Sequence, residues 1–304
     1  FDGTRWTAYC SECKGMWQHS VSRPAVIPDD KARVSAYQVI LEPQGGKWVY
    51  VLNPSDLRDD GIWVNPDGIF RYARDVGQRK LYAAKYWPRK DGVPAGQVLP
   101  SRSRYVALPP SGNARAKALA QQWRNAAGDD AAVVQSALDY YRAAFTYTLQ
   151  PPLLGDERVD DFLFNTRSGF CEHFAGSFVF LMRAAGIPAR VAIGYMGGET
   201  SPQDRYVIVR QYDAHAWAEV WLPERGWVLV DPTAAVAPER IDRSFVDAFS
   251  GNPAFNMDTG LQAYRHVPLL NRLRLQWQHV DYLWARWVLG YEPERQQALL
   301  RRFG

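Results

Sequence analysis

Three residues of this 304-residue chain have the types and spacing needed for covalent acyl transfer: Cys171 in GFCEHF, His215 in DAHAWAEVWL and Asp231 in GWVLVDPTA. A thiol attacks an acyl carbon effectively only as thiolate, and a free cysteine is only a few per cent ionised at neutral pH. A neighbouring imidazole removes that proton and later returns one to the leaving group. A carboxylate on the imidazole's other nitrogen fixes its tautomer and steadies its charged form. Cys171, His215 and Asp231 supply nucleophile, base and orienting acid.

The surrounding sequence predicts elements that position all three. Gly169 and Phe170 break the chain ahead of an apolar run with helical spacing, Phe174, Phe178, Leu181, Met182 and Ala185. Gly186 and Pro188 then stop it. Cys171 thus falls at a helix N-terminus, where unpaired N–H groups and the helix dipole favour a thiolate and can bind a developing oxyanion. Four strands are expected next: Arg190 to Tyr195, Tyr206 to Arg210, Ala214 to Leu222 and Trp227 to Val230. Alternation in the third puts His215, Trp217 and Glu219 on one face and Ala216, Ala218 and Val220 on the core face. The turn Pro223-Glu224-Arg225-Gly226 joins strands three and four as a hairpin, which brings Asp231 toward His215.

The run DFLFNTRSGFCEHFAGSFVFLMRAAGIPARVAIGYMGGE, with DAHAWAEVWL and VDPTAAVAPERI, resembles the transglutaminase-like superfamily of papain-like cysteine acyltransferases and peptidases. Its wording is similar to a narrower group: bacterial inner-membrane protein-glutamine gamma-glutamyltransferases with a periplasmic transglutaminase-like domain. The similarity is most specific between Asp161 and Ile241 and extends over most of the chain. The resemblance implies an α+β papain-like core, in which the helix bearing the nucleophile packs on an antiparallel sheet. It also implies a periplasmic location, with membrane-spanning segments flanking the piece in hand. The family's nucleophile, base and orienting acid fall on Cys171, His215 and Asp231.

Other residues compete for the same roles. A lone helical cysteine is ordinarily a small core hydrophobe, but the helix-start position and the downstream His and Asp argue otherwise here. His173 lies two helical positions from the thiol, about 200° around, and is expected to pack rather than act as base. Asp213 precedes its strand and reads as a turn residue, whereas Glu219 is a plausible cleft carboxylate. Asn165, six residues before Cys171, is a candidate second oxyanion donor, and Trp217 a candidate wall of the acyl site. Both residue types have ordinary structural uses in a loop and on a strand.

Composition agrees with a folded unit: 47% hydrophobic residues and 12 tryptophans supply ample core. A net charge of +4 is spread along the chain, and no basic cluster with interleaved aromatics supports a nucleic-acid role. No run of about 18 apolar residues predicts a membrane span. Because the chain begins at Phe1, it reads as a segment of a longer polypeptide. Cys10 and Cys13 are expected as a small disulfide or two free thiols. Zinc with His19 as third ligand lacks a fourth partner.

Three regions separate. Residues 1–110 hold short alternating stretches (Val34 to Leu41, Trp48 to Leu52, Lys80 to Tyr86, Arg104 to Leu108) and read as a β-rich domain. Residues 111–240 open with two helical patterns, the second capped by Asp130, and continue into the catalytic core. Residues 241–304 read as a helical extension with a stripe of Leu270, Leu273, Trp277, Val280 and Trp284. The expected activity is transfer of a glutamine acyl group through a Cys171 thioester to a primary amine such as a lysine side chain, on protein or peptide substrates that include peptidoglycan-linked peptides. No cofactor is expected, and no acidic loop of calcium-binding pattern is present. The alternatives are a peptidase or amidase hydrolysing envelope peptides, and a non-catalytic envelope scaffold.

Overall fold

Alternating apolar side chains build the first of two units. A computed structural model describes residues 17–22, 34–52, 55–86, 99, 102–201, 206–223, 225–238, 276–277 and 280–283. Those up to residue 86, with 276–283, form one unit, and those from 99 to 238 form the other. The first unit contains β1 (Gln18–His19), β2 (Ser35–Leu41), β3 (Trp48–Val49), β4 (Ser55–Leu57), β5 (Ile62–Val64), β6 (Phe70–Tyr72) and β7 (Lys80–Tyr86). They make a three-stranded sheet ordered β2-β7-β4 and a four-stranded sheet ordered β1-β5-β6-β3, with every pair antiparallel. Leu41, Val49, Leu57, Ile62, Val64, Phe70, Val76, Tyr82 and Ala84 close the core.

The second unit is organised around one buried helix. It contains α1 (Arg102–Val106), α2 (Ala114–Ala126), α3 (Asp130–Ala144), β8 (Thr146–Tyr147), α4 (Arg158–Asp160), β9 (Ser168–Gly169) and α5 (Cys171–Ala184). Between α4 and β9 lies a π-helical stretch, Asp161–Thr166. The chain continues through β10 (Ala189–Tyr195), β11 (Glu199–Thr200), β12 (Val207–Ile208), β13 (Ala214–Leu222) and β14 (Gly226–Val230). The sheet order is β10-β13-β14, antiparallel throughout. The β13–β14 hairpin pairs Leu222 with Gly226 and Ala218 with Val230, as the turn sequence predicts.

Helix α5 packs on β13, β10, α2 and α3, so it is covered on all sides. Phe174, Phe178, Phe180, Leu181 and Met182 are completely buried. Each such side chain contributes about 1.5–3 kcal/mol of burial free energy. Gly186 ends the helix at φ +77°, a left-handed conformation that a glycine adopts without strain. Several polar groups in this core are matched. The Tyr141 hydroxyl lies 2.7 Å from Ser177 Oγ. Arg183 donates from Nε to the Ala189 carbonyl at 2.8 Å and from Nη1 to the Ala107 carbonyl at 3.0 Å. Burial, reinforced by the charge of Arg104, lowers its pKa to about 10. The buried Asp160 carboxylate accepts from the Arg115 and Ala116 amides at 3.0 and 2.7 Å, capping α2 from a distant segment. Asn113, left-handed at φ 53°, reciprocates by accepting from the Val159 and Asp160 amides.

Several expectations are corrected. The stretch Arg104 to Leu108 is not a strand but lies in and just after α1. Its alternation does not reflect a buried face: Tyr105 alone is buried, against Trp227. The cap of α3 is Asp129, whose side chain accepts from the Ala132 amide, while Asp130 begins the helix and pairs with Arg124 at 2.7 Å. Two adjacent aspartates offer the same cap in sequence, and backbone geometry selects the extended one. The strands expected over Trp48 to Leu52 and Tyr206 to Arg210 shorten to two residues each. Residues 276–277 and 280–283 are helical, and the rest of the expected C-terminal stripe lies outside the described residues, as do Cys10 and Cys13.

Candidate active site

The side-chain period of β13 sets the site. Ala216, Ala218, Val220 and Leu222 fill the core, and His215, Trp217, Glu219 and Trp221 occupy the opposite face. His215 is only 2% exposed. Its cross-strand partner is Gly194 on β10. An added Cβ at Gly194 would meet the Trp217 ring at 2.8 Å, so glycine is what lets the indole lie flat across the strand. The His215 and Trp217 rings are stacked at 22° with centroids 6.1 Å apart.

Asp231 follows β14 and begins the 3₁₀ turn Pro232–Ala235. Its Oδ1 accepts from the Thr233 amide at 2.9 Å, and its Oδ2 lies 2.7 Å from His215 Nε2. One carboxylate oxygen thus anchors the residue to its own turn while the other holds the ring. The remaining ring nitrogen, Nδ1, is buried and makes no regular hydrogen bond. Cys171, a half-buried free thiol at the first position of α5, is the other side chain that interacts with the imidazole. Burial works against a charged His215. The hydrogen bond and charge of Asp231, with a further contribution from Cys171, outweigh it and raise the pKa to about 9. A histidine held by a carboxylate on one ring nitrogen, with a thiol as its other partner, is the arrangement expected of a cysteine nucleophile and its base.

The comparisons with known proteins converge on these elements. Residues 117–232 match the model of the transglutaminase-like superfamily. The crystal structure of the periplasmic domain of TgpA from Pseudomonas aeruginosa superposes with a TM-score of 0.69 at 40% identity, covering 81% of this chain and 83% of that one. The chain belongs to the transglutaminase-like superfamily. Along its whole length it is 40% identical to a protein-glutamine gamma-glutamyltransferase of P. aeruginosa, and it spans 44% of that relative. A Bacillus subtilis protein, YebA, is 37% identical over 138 residues, 43% of this chain and 19% of that protein.

Within this transglutaminase-like unit the other candidates take other places. Glu219 is engaged by Arg190, its cross-strand partner, at 2.6 Å, and that guanidinium also lies 4.3 Å from the centre of the Trp227 ring. Asn165 is exposed on the π-helical stretch; its amide donates to Asp161 at 2.7 Å and its carbonyl accepts from Arg115 at 3.4 Å. Both amide atoms are thus engaged with Asp161 and Arg115 rather than with Cys171 or His215. Asp213 closes a short turn by accepting from the Arg210 amide at 2.9 Å. His173 folds back so that its Nδ1 faces the Phe170 amide at 3.4 Å, and its ring meets Phe162 and Phe170. Burial lowers its pKa, partly offset by that amide. Among the described residues no group of three or more His, Cys, Asp or Glu is placed to hold a metal, and no helix is long and apolar enough to cross a membrane.

Sequence reasoning passed over two positioning residues. Thr233 fixes Asp231 through its amide and is completely buried. The signal was legible as Asp-Pro-Thr, a capping aspartate with proline at the first helical position. Gly194 carried no local signal, because its constraint is set by an indole on the neighbouring strand.

Proposed function

We propose that this chain is the catalytic portion of a periplasmic protein-glutamine gamma-glutamyltransferase. The carrying observation is the imidazole of His215 set between the Asp231 carboxylate at 2.7 Å and the Cys171 side chain. The activity in the name of the P. aeruginosa relative, and the periplasmic origin of the matching domain, support the reading. The Cys171 sulfur attacks the side-chain carbonyl carbon of a substrate glutamine. Phe170 contributes no side-chain cap and its carbonyl takes the His173 amide at 2.9 Å, which leaves the Cys171 and Glu172 amides for the oxyanion. His215 returns its proton to the departing nitrogen, ammonia leaves, and a thioester remains. A primary amine then attacks, His215 accepts its proton, and an amide bond forms as the thiol is regenerated. Asp231 holds the ring in one tautomer throughout.

The test is to trap the acyl-enzyme with a glutamine peptide and offer labelled amine in competition with water. The expected result is a mass-shifted Cys171 adduct that transfers the acyl group to amine. Exclusive hydrolysis at high amine would make the protein an amidase. No adduct with any acyl donor, together with partner binding unaffected by Cys171→Ala, would make it a scaffold.

A further inference from the structure

The β-rich unit carries a feature that acyl transfer does not use. On its four-stranded sheet, His19 pairs with Trp63, Trp63 with Arg71, and Arg71 with Trp48. Directly paired residues share a face, so these four side chains form one row across all four strands. With strands about 4.8 Å apart the row spans about 14 Å. The opposite face holds Val49, Ile62, Val64 and Phe70, all in the core. Trp17, two residues before His19 and therefore on the same side, lies over the Arg71 guanidinium at 3.9 Å. The His19 and Trp63 rings are 4.0 Å apart, and His19 Nδ1 is anchored 2.9 Å from the Asp60 carbonyl. Trp17, Trp48, Trp63 and Arg71 are each half-buried rather than covered.

A half-exposed row of three indoles needs an explanation, since single exposed aromatics are ordinary but an ordered set is not. Arg71 adds a second, independent observation. Among the described residues no carboxylate pairs with it, and its Nε is buried without an acceptor. The Nη groups of this half-buried guanidinium are not among the buried unpartnered atoms, so they can donate to a ligand that brings an acceptor to the face. The occupant must be long enough to cross several strands, present flat apolar ring faces to the indoles, and carry oxygen acceptors at its edges. An extended peptide adding to a sheet would seek an unpaired strand edge, whereas this row crosses the middle of the sheet. A nucleic-acid strand would call for several cations, and the row contains a single guanidinium.

We propose that this sheet face binds a polysaccharide, with sugar rings stacked on Trp63, Trp48 and Trp17 and an acidic or hydroxyl oxygen held by Arg71. The site is separate from the acyl-transfer reading and does not depend on it. The experiment uses the full chain, titrated with a hexamer of β-1,4-linked N-acetylglucosamine and with oligogalacturonate of equal length, followed by tryptophan fluorescence and calorimetry. Both sugars are expected to bind, the acidic one more tightly at low salt. Trp63→Ala should weaken both about tenfold or more, as loss of a ring-stacking platform does. Trp63→Tyr should keep most of the affinity, and Arg71→Gln should abolish the preference for the acidic chain. Circular dichroism reports whether Trp63→Ala folds; if it does not, the Tyr and Gln variants decide the matter. Absence of binding to either sugar, affinity unchanged across the folded variants, or preferential binding of a polyproline peptide in its place would overturn the proposal.

Discussion

The two units treat polar groups in opposite ways. The β-rich unit keeps its core almost wholly apolar and places Arg71 and several aromatics on an outer face, where strand register lines them up. The α5-centred unit draws polar groups inward: Asp160, Ser177, Arg183, His215 and Thr233 are all buried. The side chains of Asp160, Ser177, Arg183 and His215 each have a specific partner, and Thr233 is held through its amide, because a buried polar group without a partner is costly. A reactive imidazole requires that arrangement. Its pKa is set by a carboxylate at fixed distance, and the carboxylate stays fixed only if its own turn is held. A flat binding face tolerates adjustment, so the pleat suffices.

The largest test of this contrast is at the nucleophile. Cys171→Ala should reduce acyl transfer on the order of 10³-fold or more while leaving the melting temperature nearly unchanged, read by turnover and calorimetry. His215→Ala should be almost as damaging, and Asp231→Asn should lose about 10²- to 10⁴-fold, retaining a residue of activity. If Glu219→Gln proved more damaging to turnover than Asp231→Asn, the orienting acid would have been misassigned; its expected effect is on stability, through the weakened ion pair with Arg190.

The next test concerns the buried scaffold. Asp160→Ala removes the acceptor for two amides at the start of α2 and should destabilise the α5-centred unit by about 2 kcal/mol. In the β-rich unit, Tyr82→Phe deletes one hydroxyl bonded to the Tyr50 carbonyl and should cost about 1 kcal/mol. Urea unfolding followed by hydrogen exchange resolves the two. Equal costs would remove the distinction drawn between the cores.

A further test is pH dependence. His215 has a folded pKa raised from 6.5 to about 9, so protons bind more tightly in the folded state. The stabilisation is fully present below about pH 6.5 and is lost as pH rises through about 9. The melting temperature should fall by a few degrees between pH 6.5 and 9.5, and His215→Ala should flatten that part of the profile. A wild-type profile that rises over this window would contradict an imidazolium clamped by Asp231.

Gly194 and Arg190 show where sequence reading stops. Arg190 and Glu219 sit on separate predicted strands, and nothing local says that β10 and β13 pair with these two residues opposite each other. Once the register is fixed, the ion pair follows and Glu219 is spoken for. The same register places Gly194 beneath Trp217. The aromatic row escaped notice for the same reason: Trp17, Trp48, Trp63 and Arg71 belong to four short strands or their ends, and three of those strands gave no periodic signal at all.

What the sequence determined by itself was everything carried by local period and punctuation. The helix beginning at Cys171, its stop at Gly186, the alternation of β13 and the hairpin that returns the chain to Asp231 all follow from spacing and turn chemistry within a few residues. These alone nominate Cys171, His215 and Asp231. Tertiary structure decided which polar groups share a partner. It assigned Asp231 rather than Glu219 to the imidazole, capped α2 with an aspartate more than forty residues away, and set His215 nearly out of water. Such pairings depend on register between strands and on packing between helices, and the free energies that select them arise only when distant segments meet.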